Sequence, residues 1–284
     1  MANKLAPIAE VERVSPVCLR ILGANPGKFT LQGTNTYLVG DGPRRILIDT
    51  GQGMPAWKTN LQAVLDSEGA TVQTVLITHW HADHQGGIPQ LLDLCPEATI
   101  YKHSPEAGQQ EIADGQTFSV QGATLQAAHT PGHTHDHMVF LLREEDAIFA
   151  GDNVLGHGTA VFENLSTYLK SLDKMRSLFC GRIYPGHGPI LADGPSKISE
   201  YISHRQQRED QVISTLRSND PSTEASESRL WSPMELVKVI YADVPENLHL
   251  AAQGGVVQIL QKLEREGKAA QEDDRWRLTK RPSL

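Results

Sequence analysis

Short apolar runs alternate with turn residues through the first two thirds of the chain, and most are brief and rich in the β-branched residues that strands favour. In order these are VERVSPVCLRIL, TYLVG, RRILIDTG and VQTVLITHW, with a helical stretch from Pro55 to Ser67 before the last of them. A helix carrying Ile88, Leu91 and Leu92 on one face follows and is predicted to stop before Pro96. ATIYKH, ATLQAAHT, MVFLL and AIFAGD read as further strands, succeeded by a helix from Leu165 to Phe179 and the short strand GRIYPGH. The pattern predicts an α/β fold in which a two-sheet sandwich is covered by outer helices. Several strands end in His or Asp, which sets polar side chains along one rim.

Beyond this the pattern changes. Residues Lys197 to Leu216 read as a polar helix, and SNDPSTEASESR has the composition of a linker. Helices from Pro233 to Tyr241 and from about Leu250 to Glu266 then precede a hairpin, GKAAQEDDRWRLT, an order that resembles a winged helix. The expected domains are residues 1–217 and a C-terminal winged-helix-like α+β module at 231–284, joined by 218–230. From Tyr201 onward 12 basic residues face 13 acidic ones, and Lys262, Glu264, Arg265 and Glu266 give the second helix a mixed face. A structural or dimerising role fits such a module better than the basic stripe of a groove-reading helix.

Charge and cysteine content narrow the class only a little. A balance of 26 basic to 34 acidic residues leaves a net charge of -8, which argues against a polyanionic partner such as nucleic acid. Cys18, Cys95 and Cys180 are scattered and lack C-x-x-C spacing, so they read as small buried hydrophobes in a reducing compartment. The start, MANKLAPIAEVER, has neither the apolar core of a signal peptide nor an Arg/Ser-rich amphipathic pattern, and no apolar run reaches bilayer length. A cytoplasmic location without membrane contact is expected.

The chemistry concentrates after VLIT, where His79, His81, Asp83 and His84 occur as H-x-H-x-D-H. Strand alternation would set His79 and His81 on one side, with Asp83 and His84 able to turn toward a neighbouring position. Three further candidates follow strands and are flanked by glycine: His133 in HTPGHT, Asp152 in FAGDN and His187 in YPGHG. Five imidazoles and two carboxylates converging on one rim suit a binuclear hydrolytic metal site. Nitrogen and oxygen donors favour zinc while also accepting manganese or iron. His129 is expected in the core, and His103, His204 and His249 at the surface or in packing. His157, in a Gly-flanked loop after Asp152, is expected to overhang the substrate and to contact it or transfer a proton.

H-x-H-x-D-H followed by Gly86 and Gly87, then TPGHT, GD and PGHG in that order, resembles the metallo-β-lactamase fold superfamily across roughly residues 20–190. The resemblance implies an αββα sandwich in which His79, His81 and His133 bind one metal, Asp83, His84 and His187 the other, and Asp152 bridges them. Asp49 in LIDTG would support the site without binding metal. His135 and His137 would then hydrogen-bond around the ligands, and metal-bound hydroxide, held in line by Asp83, would attack a polarised carbonyl. NPGKFTLQGTNTYLVG, GDNVLGHGTAVFENL, YISHRQQRE and MELVKVIYADVPENLHL narrow the resemblance to the lactamase-like protein 2 group. Within it, GQG after LIDT and Gly254-Gly255 in AAQGGVVQIL look more like fungal polyketide-associated thioesterases. That branch implies release of a polyketide acid from the acyl carrier protein of a polyketide synthase, the substrate being an acyl thioester. The alternatives are cleavage of single-stranded RNA, a hydroxyacylglutathione-type thioesterase, and a non-catalytic metal-binding scaffold. A thiolate leaving group, whose conjugate acid has a pKa of about 8.5, needs little acid assistance and favours the thioester.

Overall fold

The computed structural model describes residues 5–218 and 229–279. Pro16 lacks a backbone donor, and the run VERVSPVCLRIL turns there into antiparallel strands β1 (Val11–Ser15) and β2 (Cys18–Leu22). Then come β3 (Asn35–Val39), β4 (Arg44–Ile48), α1 (Pro55–Glu68), β5 (Thr71–Leu76), the single turn α2 (Ala82–Gln85), α3 (Ile88–Leu94) and β6 (Thr99–Lys102). The second sheet's strands follow a two-residue β7 (Gln110–Glu111): β8 (Thr117–Val120), β9 (Ala123–His129), β10 (Met138–Leu142) and β11 (Ala147–Gly151). Helix α4 (Leu165–Leu178) leads to β12 (Ile183–Pro185) and the long α5 (Gly194–Arg217). The remaining described elements are α6 (Pro233–Ile240), α7 (His249–Arg265), β13 (Ala269–Glu272) and β14 (Arg275–Leu278).

The first sheet runs in the order β1-β2-β3-β4-β5-β6-β7, antiparallel up to β4 and parallel beyond it. The second runs β12-β11-β10-β9-β8, with only the β11–β12 pair parallel. Alternation along the strands divides the first sheet's side chains between two cores. Tyr37, Val39, Ile46 and Ile48 meet Phe118, Leu125, Phe140 and Phe149 of the second sheet, while Leu38 and Leu47 meet Trp57, Leu61 and Leu91 of α1 and α3. Both faces of β3 and β4 are therefore dry, which is why those strands read as unbroken apolar runs. β7 and β8 carry no such signal: one is two residues long and the other, TFSV, buries only Phe118.

The chain forms two compact units, Met1–Glu163 with Thr167–Ser199, and Asn164–Ser166 with Glu200–Leu284. The division falls inside α5, and most of the anticipated linker, at 219–228, lies outside the described residues. In the second unit α6 begins with a capping box, Ser232 accepting from the Glu235 N–H while the Glu235 carboxylate accepts from the Ser232 N–H. Leu236, Val237, Val256, Ile259, Leu260 and Leu263 are buried, and the Trp231 and Trp276 backbones pair reciprocally at 2.8 Å, tying the strand before α6 to the hairpin. Among the described residues no helix is long and apolar enough to cross a membrane.

Candidate metal centre

Strand ends deliver every member of the cluster. Asp49 follows β4, His79 to His84 follow β5, His133 follows β9, Asp152 follows β11 and His187 follows β12. His79 and His81 lie beyond the paired part of β5, contrary to the expected strand alternation; His81 is the extended residue that caps α2, and Asp83 and His84 sit on that single turn. The segment is held from both sides, Ile77 N–H donating to the Tyr101 carbonyl at 2.9 Å and Met138 N–H to the Thr78 carbonyl at 2.7 Å. Asn35 Nδ2 binds the Pro185 and Gly188 carbonyls, both at 2.9 Å, and so fixes the loop that carries His187. In that loop Gly186 has no substitute: a Cβ there would lie 2.4 Å from Asp152 Oδ1.

The donors fall into two groups, His79, His81, His133 and Asp152 in one and Asp83, His84 and His187 in the other, each spanning no more than 4.8 Å. His81 Nδ1 lies 2.9 Å from His79 Nε2 and 3.1 Å from His133 Nε2, while His84 Nε2 lies 3.3 Å from His187 Nε2. Asp152 spans the groups, Oδ1 being 3.3 Å from His84 Nε2 and Oδ2 3.2 Å from His187 Nε2 and 3.7 Å from His133 Nε2. Its Oδ1 nonetheless has no partner in hydrogen-bonding geometry among the described residues. Buried nitrogen lone pairs aimed at one another, with an orphaned carboxylate oxygen among them, are costly unless a cation satisfies them. The donor set therefore fits divalent metal.

Tautomers are set from outside the cluster, by groups the motif does not reveal. His133 Nδ1 donates to the Val161 carbonyl at 2.8 Å, and His84 Nδ1 donates to Asp49 Oδ2 at 2.7 Å, leaving Nε2 bare in each. Thr78 donates its hydroxyl to Asp49 Oδ2 and accepts from His79 Nδ1, with the same result there. Asp49 Oδ1 takes the Thr78 backbone N–H at 2.8 Å. On the other side Thr34 Oγ1 donates to Asp83 Oδ2 at 3.1 Å and is itself held by Asn25. His137 is buried, and its Nε2 accepts the Asp152 N–H at 3.1 Å. His135 is exposed and offers its carbonyl to His129 Nε2.

Burial holds the pKa of His79 and of His137 well below that of an ordinary imidazole, and neighbouring histidines push the same way. His81 is lowered too, by burial and then His133. Burial likewise opposes charge on His84, yet Asp152 and Asp49 overcome it and raise its pKa well above the usual value. His187 is pushed up to about 9 against its burial, chiefly by Asp152. Burial also disfavours charge on Asp83 and Asp152, and His187 and His84 reverse that, so both remain carboxylates far below the usual range. Imidazoles must be unprotonated to hold a metal, so a cation at this centre competes with protons for the same nitrogens.

His157 does not join the cluster. It is exposed and lines a cavity of about 430 Å³ over the donors, whose walls include Phe29, Leu31, Leu155, Ala160 and Val161. Two expectations need correction. His129, expected in the core, is half-buried at the end of β9 and stacks on His103 with ring centres 4.0 Å apart, because the strand end there is open to solvent. Cys180, expected to be buried like Cys18 and Cys95, is exposed in the turn after α4.

The metallo-β-lactamase superfamily pattern matches residues 29–187, and the β-lactamase-associated winged-helix domain matches residues 232–276. The chain belongs to the metallo-β-lactamase superfamily. This is a superfamily of hydrolases, and within it relatives match along nearly the full length. The lactamase-like protein ptaB of Pestalotiopsis fici is 46% identical over 94% of this chain and 86% of its own length. Proteins named atrochrysone carboxyl ACP thioesterase are similar at 46% in Aspergillus chevalieri, over 94% of this chain and 87% of the relative, and at 43% in Aspergillus fumigatus, over 94% and 70%. Among solved structures, a β-lactamase domain protein from Burkholderia ambifaria superposes with a TM-score of 0.79 at 18% identity, covering 98% of this chain and 96% of that one. A metallo-β-lactamase family protein from Thermus thermophilus gives 0.72 at 22% identity over 94% and 100%. At these identities the two structures speak for the superfamily's metallo-β-lactamase fold alone.

Proposed function

We propose that this protein is a binuclear metal-dependent thioesterase that hydrolyses an acyl thioester on an acyl carrier protein, releasing a polyketide acid. The observation that carries this reading is the cavity: an apolar chamber opens directly on the donor cluster, and Lys28 is the one Lys or Arg among its described lining residues. Such walls suit an apolar acyl group and offer only Lys28, among the described residues, to neutralise the phosphates of a nucleic acid strand. The thioesterase names of relatives at 43–46% identity support the same choice.

In this reading His79, His81 and His133 hold one cation, Asp83, His84 and His187 the other, and Asp152 stands between them. Zinc suits these donors best, with manganese or iron also acceptable to them. When bound, the two cations would supply Lewis acidity toward the thioester carbonyl and make water acidic enough to ionise near neutral pH. Asp83, kept as a carboxylate by its histidine neighbours and oriented by Thr34, aligns the attacking water by accepting its hydrogen bond. Phe29 and Val161 hold the acyl group and exclude solvent from it. His157, on the cavity wall, faces the departing sulfur; a thiolate with a conjugate-acid pKa of about 8.5 leaves without a strong acid, so His157 orients it and returns a proton.

The test is release of free acid from an acyl-loaded carrier protein by zinc-loaded enzyme, beside a His79→Ala control. Release well above the control is the expected result. Release no faster than the control, or cleavage of a fluorescent single-stranded RNA in its place, would overturn the reading.

A further inference from the structure

A thioester has two arms, and both must find room around the metal centre. Beside it lies a second groove of about 240 Å³, formed by residues 5–8 of the N-terminal segment against Gln32 and Pro189, and His157 is the residue the two share. The acyl carbon must sit at the donor cluster, so the groups on its two sides leave in different directions. Past His157, the second groove is a path open to the sulfur side.

The groove's chemistry is unlike that of the first cavity. It has no Lys, Arg, Asp or Glu among its described lining residues, which leaves them without a charge to select a charged ligand. Leu5, Pro7, Ile8 and Pro189 make it apolar, and Gln32 contributes its single side-chain amide. Gln32 Nε2 donates to the Ala6 carbonyl at 2.7 Å, which fixes the segment against the body of the unit and decides which way the amide points. Gln32 Oε1 is left shielded from solvent with no hydrogen-bond partner among the described residues. Buried acceptors are seldom abandoned in this way, and a ligand amide N–H that eases the segment aside satisfies it. An uncharged, slender chain bearing secondary amides and methyl groups matches these walls. Pantetheine is such a chain.

Resting on the thioester reading above, we infer that this groove holds the pantetheine arm of the substrate, with its sulfur at His157 and an amide N–H on Gln32 Oε1, while the acyl group occupies the apolar cavity. The phosphate stays outside, since the described residues of the groove offer it no cation. Residues 5–8, which lie before the matched superfamily region, thereby become part of the substrate site.

Two measurements on the zinc-loaded full chain test this, with Gln32→Leu and the groove-filling Ile8→Trp as variants. The first is calorimetric titration with S-methylpantetheine, which has neither a free thiol to bind metal nor a phosphate. Saturable binding, weakened about tenfold or more in each folded variant, is expected, equivalent to the loss of about 1.4 kcal/mol. The second compares an acyl pantetheine thioester with the ethyl thioester of the same acid. The ratio of their kcat/KM values is expected to fall by a similar factor in the variants, through KM. Absence of saturable binding, unchanged affinity in folded variants, or equal loss on both thioesters overturns the inference. If Ile8→Trp fails to fold, Gln32→Leu decides. Should S-methylpantetheine bind as expected while neither thioester is hydrolysed, the thioesterase reading falls and the groove stands; hydrolysis without a pantetheine preference has the opposite meaning.

Discussion

The two units bury polar groups for opposite reasons. In the second unit the buried Glu209, His249 and Thr215 have partners within the fold: Glu209 meets Lys262 at 2.8 Å, His249 Nε2 donates to the Val244 carbonyl at 2.9 Å, and Thr215 donates to the Gln211 carbonyl. The Trp231 indole N–H is buried without a hydrogen-bond partner among the described residues. In the first unit His79, His84, His187 and Asp152 are as deeply buried, yet their inward atoms face one another, and Asp152 Oδ1 and His187 Nδ1 have no hydrogen-bond partner among the described residues. The first arrangement stabilises a fold, while the second costs stability until something binds. Buried polar groups left mutually unsatisfied are therefore the better guide to where chemistry occurs.

The comparison breaks most sharply if the cluster proves dispensable. Chelation, or His79→Ala, is expected to lower kcat/KM on a thioester by at least about 10³-fold, corresponding to the several kcal/mol that Lewis-acid chemistry contributes. Elemental analysis should show the lost metal alongside the lost rate. A chelated, correctly folded sample that kept its turnover would remove the distinction between the units. Asp49→Asn is a finer probe, because the amide can still accept the Thr78 N–H but no longer offers a carboxylate to both the Thr78 hydroxyl and His84. Metal affinity should fall about 10–100-fold with the fold intact, read by competition against a chromogenic chelator. An unchanged affinity would mean that the carboxylate only tethers the loop.

The donors are legible in the sequence because metal coordination demands particular residue types and the strand ends space them along the chain. Thr34, Thr78, Asn25 and the Val161 carbonyl are not, since a hydroxyl or a backbone oxygen has no type-specific signature and its partner is distant in sequence. His129 departs from expectation for a related reason: the periodicity of ATLQAAHT says which face a residue takes, not where the opposing layer ends. The two-core sandwich is legible through the apolar runs of β3 and β4, whereas β7 and β8, at the sheet edges, bury too little to leave a pattern.

Gly132 tests whether the site's scaffold is as demanding as its ligands. Its φ is 143°, and a Cβ would lie 2.4 Å from Tyr168 Cα, a backbone atom of α4 that cannot move alone. Gly132→Ala should destabilise the first unit by about 1–3 kcal/mol and displace the neighbouring His133. Thermal unfolding would register the first effect and metal stoichiometry the second; a wild-type Tm would show that α4 yields freely.

The smallest expected effect belongs to the second unit. Burial works against the Lys262 ammonium, yet Glu209 and Glu266 hold its pKa above that of an ordinary lysine. Glu266 Oε1 lies 2.7 Å from Lys262 Nζ, so removing Glu209 strands no charge. Glu209→Gln should therefore cost only about 1 kcal/mol, the net value of one hydrogen bond, visible as a small fall in denaturation midpoint with metal content unchanged. A loss of several kcal/mol would mean that this pair is no more replaceable than the donors of the metal centre, and buried polarity alone would then no longer separate a structural pair from a reactive one.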